Sequence, residues 1–179
     1  MKYTTENILP LTDRKFLFFW GHTPKQAGVP DQACLSQWWE AAFTVEGITY
    51  PSAEHWMMAG KARLFGDEET LAQILVTPKP GQAKGLGRTV KDFDHEEWMK
   101  HAYDIVLQGS LHKFGQNEAL KAFLLNTGNK ILVEASPVDF VWGIGMAHDH
   151  RDAMNPAAWR GPNLLGFALM EARDILSNR

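Results

Sequence analysis

Thr49-Tyr-Pro-Ser-Ala-Glu-His-Trp-Met-Met-Ala-Gly-Lys-Ala62 reads as the end of a strand running into a helix. Pro51 rigidifies the approach, and Ser52 is a good N-cap because a serine in extended conformation accepts a first-turn main-chain N–H. From Ala53 to Phe65 there is neither proline nor a β-branched residue, so nothing in the composition interrupts the helix. Glu54 and Lys61 are two turns apart, which returns them to nearly the same azimuth at ~10 Å along the axis. That separation is too long for a direct ion pair and suits a small polar ligand lying between them. Two readings stay open on this segment: an amphipathic helix with a solvated Glu–Lys face, or one wall of an active site. Glu54 stands in the first turn beside Trp56, Met57 and Met58, so its expected surroundings are only partly wet.

On the N-terminal side, Phe43-Thr-Val-Glu-Gly-Ile-Thr-Tyr50 predicts a hairpin turning at Glu46-Gly47, and Lys15-Phe-Leu-Phe-Phe-Trp20 predicts a short strand followed by a turn-rich loop over 21–31. On the C-terminal side, a helix is expected from Glu68 to Val76, capped by Asp67 and stopped by Thr77-Pro78. A short one follows from Pro80 to Leu86 and closes at Gly87. The long helix spans His95 to Phe114, with Asp94 and Glu97 as a capping-box-like pair and Gly115 at its end. Asn117 is expected to cap a helix to Asn126, ended by Gly128; Lys130–Glu134 is a short buried strand; Leu164–Leu176 carries a helical apolar stripe. Between them, 139–162 is irregular, with three glycines and two prolines. Helices dominate, and the strand–helix alternation of a parallel α/β sheet is missing. The expected fold is α+β: one mostly helical domain over 1–179, with a small, short-stranded sheet.

A chain of 179 residues, 45 % hydrophobic and 22 % charged, has the composition of a soluble globular protein. At that size folding buries roughly 70 % of the surface the unfolded chain exposes, enough for a real core. Seven tryptophans against three tyrosines raise the expectation of a flat heterocyclic ligand, since indole stacks on base rings. A net charge of −3 argues against gripping long nucleic acid, which takes a broad basic surface, and leaves room for a local patch that binds one or two phosphates. Cys34 is the single cysteine, so internal disulfides and multi-cysteine zinc sites are excluded. The opening MKYTTENILP has no apolar core of a leader, and no run approaches membrane-spanning length; a cytoplasmic protein with no membrane partner is expected.

Three further clusters could bear chemistry. Lys84-Gly-Leu-Gly-Arg88 sets two cations around two glycines at a helix end. It lacks the order of a phosphate loop and reads either as a basic helix end or as a place for one phosphate. Asp139-Phe-Val-Trp-Gly-Ile-Gly145 joins an acid, the indole of Trp142 and two glycines in an irregular stretch, either a plain loop or one whose backbone approaches a ligand. His148-Asp-His150 with Asp152 lacks a third ligand at any metal-site spacing, so a polar loop and no metal is the expectation. Cys34, the Met57–Met58 pair and Leu120, Phe123 and Leu124 read as core.

Taken in order, these segments resemble the NADAR superfamily, named for its association with NAD and ADP-ribose, which includes the YbiA-type N-glycosidases acting on riboflavin-biosynthesis intermediates. The matching residues are Phe43 through Trp56, Lys61, Lys84-Gly-Leu-Gly-Arg88, Trp98, Lys113-Phe114, Leu132-Val-Glu134, Asp139 with Trp142-Gly143, and Asn163-Leu-Leu-Gly166 followed by Leu169-Met170 and Arg173. The likeness covers roughly 18–175. Three departures stand out: the family's usual Ser-Asn-Phe is here Ser36-Gln37-Trp38, its Gln-Ala-x-Lys is Met58-Ala-Gly-Lys61, and the segment between Gly143 and Asn163 is long and carries His148-Asp-His150.

The resemblance implies an enzyme, needing no cofactor, that hydrolyses the bond between a base or amine nitrogen and the anomeric carbon of a ribose phosphate or ADP-ribose. It implies active-site roles for Glu54, Lys61, Trp98, Asp139 and Trp142, with Asn163, in a matching stretch, as a further substrate-binding candidate. Cleaving that bond builds positive charge on the sugar, which a carboxylate stabilises while it orients water. Glu54 fits that role, with Asp139 as a second acid or a hydroxyl anchor. Trp98, then Trp142, would hold the leaving base, and Lys84 and Arg88 are the phosphate candidates. Lys61 either binds phosphate and polarises the sugar, or attacks the anomeric carbon to form an imine. The sequence favours the first, because an imine needs an amine pKa about three units below ~10.4 and therefore real desolvation. The expected partner is a small ribosylated or phosphoribosylated molecule. Its rivals are ADP-ribose carried on a nucleic-acid base such as guanine, a non-catalytic module sensing NAD or ADP-ribose, and a metal hydrolase built on His148 and His150.

Overall fold

In the computed structural model, which describes residues 1–11, 13 and 15–178, Glu46 and Gly47 both take positive φ, 50° and 81°. That pair of left-handed residues makes the two-residue turn whose twist matches an antiparallel hairpin. It joins β2 (Glu40–Val45) to β3 (Ile48–Ser52), with Phe43 opposite Tyr50 and Val45 opposite Ile48. β1 is Phe16–Phe19 and β4 is Ile131–Glu134; they form a second, separate two-stranded sheet, parallel, with Phe16 facing Ile131 and Phe19 facing Glu134. The α+β class holds, and its few strands are divided between two small sheets.

The chain forms two compact units. One is continuous, Gln37–Glu118. After the hairpin it contains α2 (Ala53–Leu64), α3 (Glu68–Val76), α4 (Pro80–Gly87) and α5 (His95–Gly115). Each starts where the sequence places it. Ser52 accepts the His55 N–H, Asp67 accepts that of Thr70, and α4 begins at a proline. Asp94 accepts the Glu97 N–H at 2.7 Å, but the Glu97 carboxylate turns outward to Lys100 and His101, so only half of the expected capping box forms. α2 is the hub, packed on α3, α4, α5 and β3. Ala53, Glu54, His55, Met57, Met58, Ala59 and Ala62 are all buried, which decides against the solvated amphipathic helix. Burying each methionine contributes about 1.5–3 kcal/mol. α2 and α5 approach closely because Gly109 has no side chain: a Cβ there would lie 2.5 Å from Trp56 Cδ1. The Trp56 indole in turn donates to the Ile105 carbonyl at 2.8 Å.

The other unit comprises Met1–Ser36 and the chain from Ala119 onward. α1 (Thr5–Ile8), which the sequence reading passed over, is held by a capping box between Thr4 and Asn7. β4 is buried along Ile131, Leu132 and Val133, and α7 (Leu164–Ser177) packs on it. Buried Arg173 donates from Nη1 to Thr127 Oγ1 at 2.9 Å and to the Lys130 carbonyl at 2.8 Å, tying α7 to the turn before β4. α6 (Glu118–Asn126) follows α5 directly. Asn117, expected as its cap, stands immediately before it and gives its side-chain N–H to the carbonyls of Lys113, in the last turn of α5, and Ala42.

Candidate active site

Glu54 stands in the first turn of α2 and is only 5 % exposed. Its main-chain N–H donates to the Gln37 carbonyl at 3.0 Å, so the segment entering the hairpin is fastened to the residue that carries the carboxylate. The positive end of the helix dipole favours a negative side chain at this position.

Two turns on, Lys61 reaches away from water. Its Nζ donates to the Gly87 carbonyl at 2.7 Å, lies 3.9 Å from the centre of the Phe93 ring and 6.0 Å from that of Trp98. The carbonyl and the ring faces favour an ammonium, yet burial outweighs them and holds the Lys61 pKa below its ordinary value. Gly87 can present that carbonyl because it is a glycine: a Cβ there would run into the sulfur of Met58 on α2. Trp98, in the first turn of α5, is 6 % exposed. Lys84 lies 5.8 Å from the centre of the Trp38 ring, and Arg88, the C-cap of α4, is exposed immediately after Gly87. Unit Gln37–Glu118 therefore gathers Glu54, Lys61 and Trp98, and places both phosphate candidates on or just after α4.

The remaining sequence candidates lie in the other unit. Asp139 Oδ1 accepts the main-chain N–H groups of Val141 at 2.9 Å and Trp142 at 2.7 Å, and its carbonyl accepts from Gly145, so this acid organises its own loop. Trp142 is half-buried and its carbonyl accepts the Leu165 N–H at 3.1 Å. Asn163, fully buried with φ 56°, uses both ends of its amide on β4: Oδ1 accepts the Glu134 N–H at 3.0 Å and Nδ2 donates to the Leu132 carbonyl at 2.9 Å. With its own N–H on the Gly143 carbonyl, Asn163 fixes the Trp142–Gly143 loop against the strand. His150 Nδ1 accepts the Asp152 N–H at 3.2 Å, and among the described residues no group of three His, Cys, Asp or Glu side chains could hold a metal ion.

Three contributors escaped the sequence reading. Phe93 and the Gly87 carbonyl surround Lys61, and neither carries a local signature. His55 does carry one, since it stands three residues after the cap. Its Nε2 donates to the Thr77 carbonyl at 3.0 Å, so Nδ1 accepts from Ser52 Oγ at 2.7 Å. Burial lowers its pKa, although the Thr77 carbonyl and Glu40 oppose this. The neutral imidazole thus joins the end of β3, the start of α2 and the end of α3.

A buried acid and a half-buried amine on one helix, with an indole near the amine, form an arrangement suited to a polar substrate bearing a ring. The family model of the NADAR domain matches residues 18–177, and the chain belongs to that family. An N-glycosidase of Acanthamoeba polyphaga mimivirus is 43 % identical over 165 residues, covering 89 % of this chain and 95 % of that protein. The N-glycosidase YbiA of Escherichia coli strain K12 is 32 % identical over 133 residues, 74 % of each chain. An NMR structure of the E. coli protein YbiA matches with a TM-score of 0.74 at 26 % identity, covering 97 % of this chain and 92 % of that one. Among the described residues, no helix is long and apolar enough to cross a membrane.

Proposed function

We propose that the protein hydrolyses the bond between the anomeric carbon of a ribose phosphate and the nitrogen of a base or amine, with phosphoribosylamino-pyrimidine intermediates of riboflavin biosynthesis as substrates. The class is that of its curated relatives, hydrolases acting on N-glycosyl compounds. The observation that carries the reading is the half-buried Lys61 amine, held on the Gly87 carbonyl and against the Phe93 ring, on the same helix as buried Glu54.

Burial of Lys61 supplies part of the desolvation that the sequence could not provide, and it favours the nucleophilic role. The neutral amine adds to the anomeric carbon as the bond to the base nitrogen breaks. The Glu54 carboxyl gives that nitrogen a proton, so it leaves as the free amine of the base, and the resulting carboxylate takes one proton from the newly bonded Lys61 nitrogen. The remaining proton on the Lys61 nitrogen passes to the ring oxygen as the sugar opens, and Lys61 is joined to the sugar as an imine. Water then adds to the imine, releasing the sugar phosphate as its aldehyde and returning the amine. Trp98 offers a ring beside Lys61 for the base, and Lys84 and Arg88 are the cations for the phosphate. Asp139 and Trp142 enter the proposal as substrate-binding residues, and Asn163 as the residue that positions their loop.

Incubation with a phosphoribosylaminopyrimidine, NAD and an ADP-ribosylated guanine oligonucleotide tests the substrate. The expected result is free aminopyrimidine and ribose 5-phosphate from the first alone. Release of ADP-ribose from the oligonucleotide alone would replace the substrate and keep the bond type; no release from any would overturn the proposal.

A further inference from the structure

The side-chain oxygen Oε1 of Gln37 is buried and has no hydrogen-bond partner among the described residues. Buried polar atoms are almost always paired, so one left over in a native fold asks for a reason. Gln37 is also tied to the proposed chemistry through its main chain, because its carbonyl accepts the Glu54 N–H. The next residue, Trp38, continues the same framework. Its ring lies under Lys84, and a Cβ on Gly81 would come within 3.3 Å of it, so the stretch is seated against α4. Gln37 is one main-chain hydrogen bond from the residue that carries the proposed acid, and its side-chain oxygen is buried and unmatched: an acceptor kept for a donor that arrives with the substrate.

We infer that Gln37 is a specificity-determining residue that accepts a hydrogen bond from the ribose 2-hydroxyl. This inference rests on the reading of the site as an N-ribosyl hydrolase. Of the donors on such a substrate, the 2-hydroxyl is one bond from the anomeric carbon and is present whatever the base. Hydrogen bonds to that hydroxyl also strengthen as charge develops on the sugar in glycoside cleavage. A site that pairs a substrate hydroxyl with a buried polar group rejects the analogue lacking it, because the protein group then stays unmatched.

The test compares binding of two stable sugars, ribose 5-phosphate and 2-deoxyribose 5-phosphate, by calorimetry, for wild type, Gln37→Met and Gln37→Leu. Wild type should prefer the ribose compound about tenfold, the size of one neutral hydrogen bond. Both variants should bind the two sugars equally while the unliganded Tm is unchanged or higher, since an unmatched acceptor replaced by an apolar group of similar shape is not missed. Wild type that binds both sugars equally would overturn the assignment while leaving the N-glycosidase reading intact. So would a preference that survives in Gln37→Met, as a purely structural or water-bound amide would give. A lower Tm in both variants would likewise mark the amide as structural and overturn it. Wild type that binds neither sugar would count against the reading itself and remove Gln37 with it.

Discussion

At Lys61, burial and charge pull in opposite directions. The Gly87 carbonyl and the Phe93 face hold an ammonium in place, while desolvation moves the group toward the neutral amine. An amine poised in this way is suited to attack carbon, and the direct check is chemical. Borohydride added during turnover should reduce the imine and leave the sugar covalently on Lys61. Lys61→Arg keeps the positive charge but cannot form an imine, so it should abolish both trapping and turnover. Turnover that persists in the arginine variant, with nothing trapped in wild type, would return Lys61 to a purely electrostatic role. For Glu54 the matched substitution is Glu54→Gln, which preserves shape and helix start. It should leave the circular dichroism spectrum unchanged and lower kcat by at least ~10²-fold, the effect of removing a positioned proton-transfer group. Near-normal kcat in that folded variant would take Glu54 out of the mechanism.

The site in the continuous unit is assembled by one helix packed against its neighbours, and the contact of α2 with the end of α4 is where packing and chemistry meet. Gly87→Ala pushes a methyl group toward the Met58 sulfur. Overpacking of this kind typically costs about 1–3 kcal/mol, read as a lower denaturant midpoint. Because Gly87 also supplies the carbonyl that holds Lys61, the variant should lose borohydride trapping beyond what its stability explains. Trapping at the wild-type level would show that the close approach of Gly87 to Met58 does not set the position of Lys61. This element was legible in part. Ser52, Asp67, Asp94 and the proline at 80 announced the starts of α2 to α5, because caps are local chemistry. The hairpin was equally plain, since Glu-Gly between alternating residues sets its own turn. The pairing of β1 with β4 was not legible, because parallel partners far apart in sequence leave no mark on either strand. The cradle of Lys61 was hidden for a related reason: a main-chain carbonyl has no side chain to read. Glu54 and Lys61 stood out as candidates from their spacing, and what the structure adds is the burial of Glu54 and the contacts of Lys61. Gln37 showed only as a departure from a familiar pattern, and its unmatched oxygen is a fact of packing.

Across the whole molecule, these buried groups set how stability depends on pH. Half-buried Lys61 opposes folding while it is protonated, and that cost is recovered as pH rises through its lowered pKa. On the acid side His55 and Asp67 act in separate windows. His55 is held neutral, with a folded pKa below the unfolded value of ~6.5, so its contribution is intact above ~6.5 and is lost as pH falls below it. Asp67 is held at about 2 by the main-chain N–H groups of Lys91 and Thr70. Its contribution is present above the unfolded value of ~3.9 and is lost only as pH falls from there toward 2. Tm should therefore fall first as pH drops below about 6.5 and again below about 4. His55→Gln cannot titrate, so it should start from a lower Tm at pH 7 but lose the first fall and keep the second. Asp67→Asn should keep the first fall and blunt the second. If His55→Gln declines just below pH ~6.5 as steeply as wild type, the link from Ser52 through His55 to Thr77 is not what acid breaks, and the start of α2 is held by its packing alone.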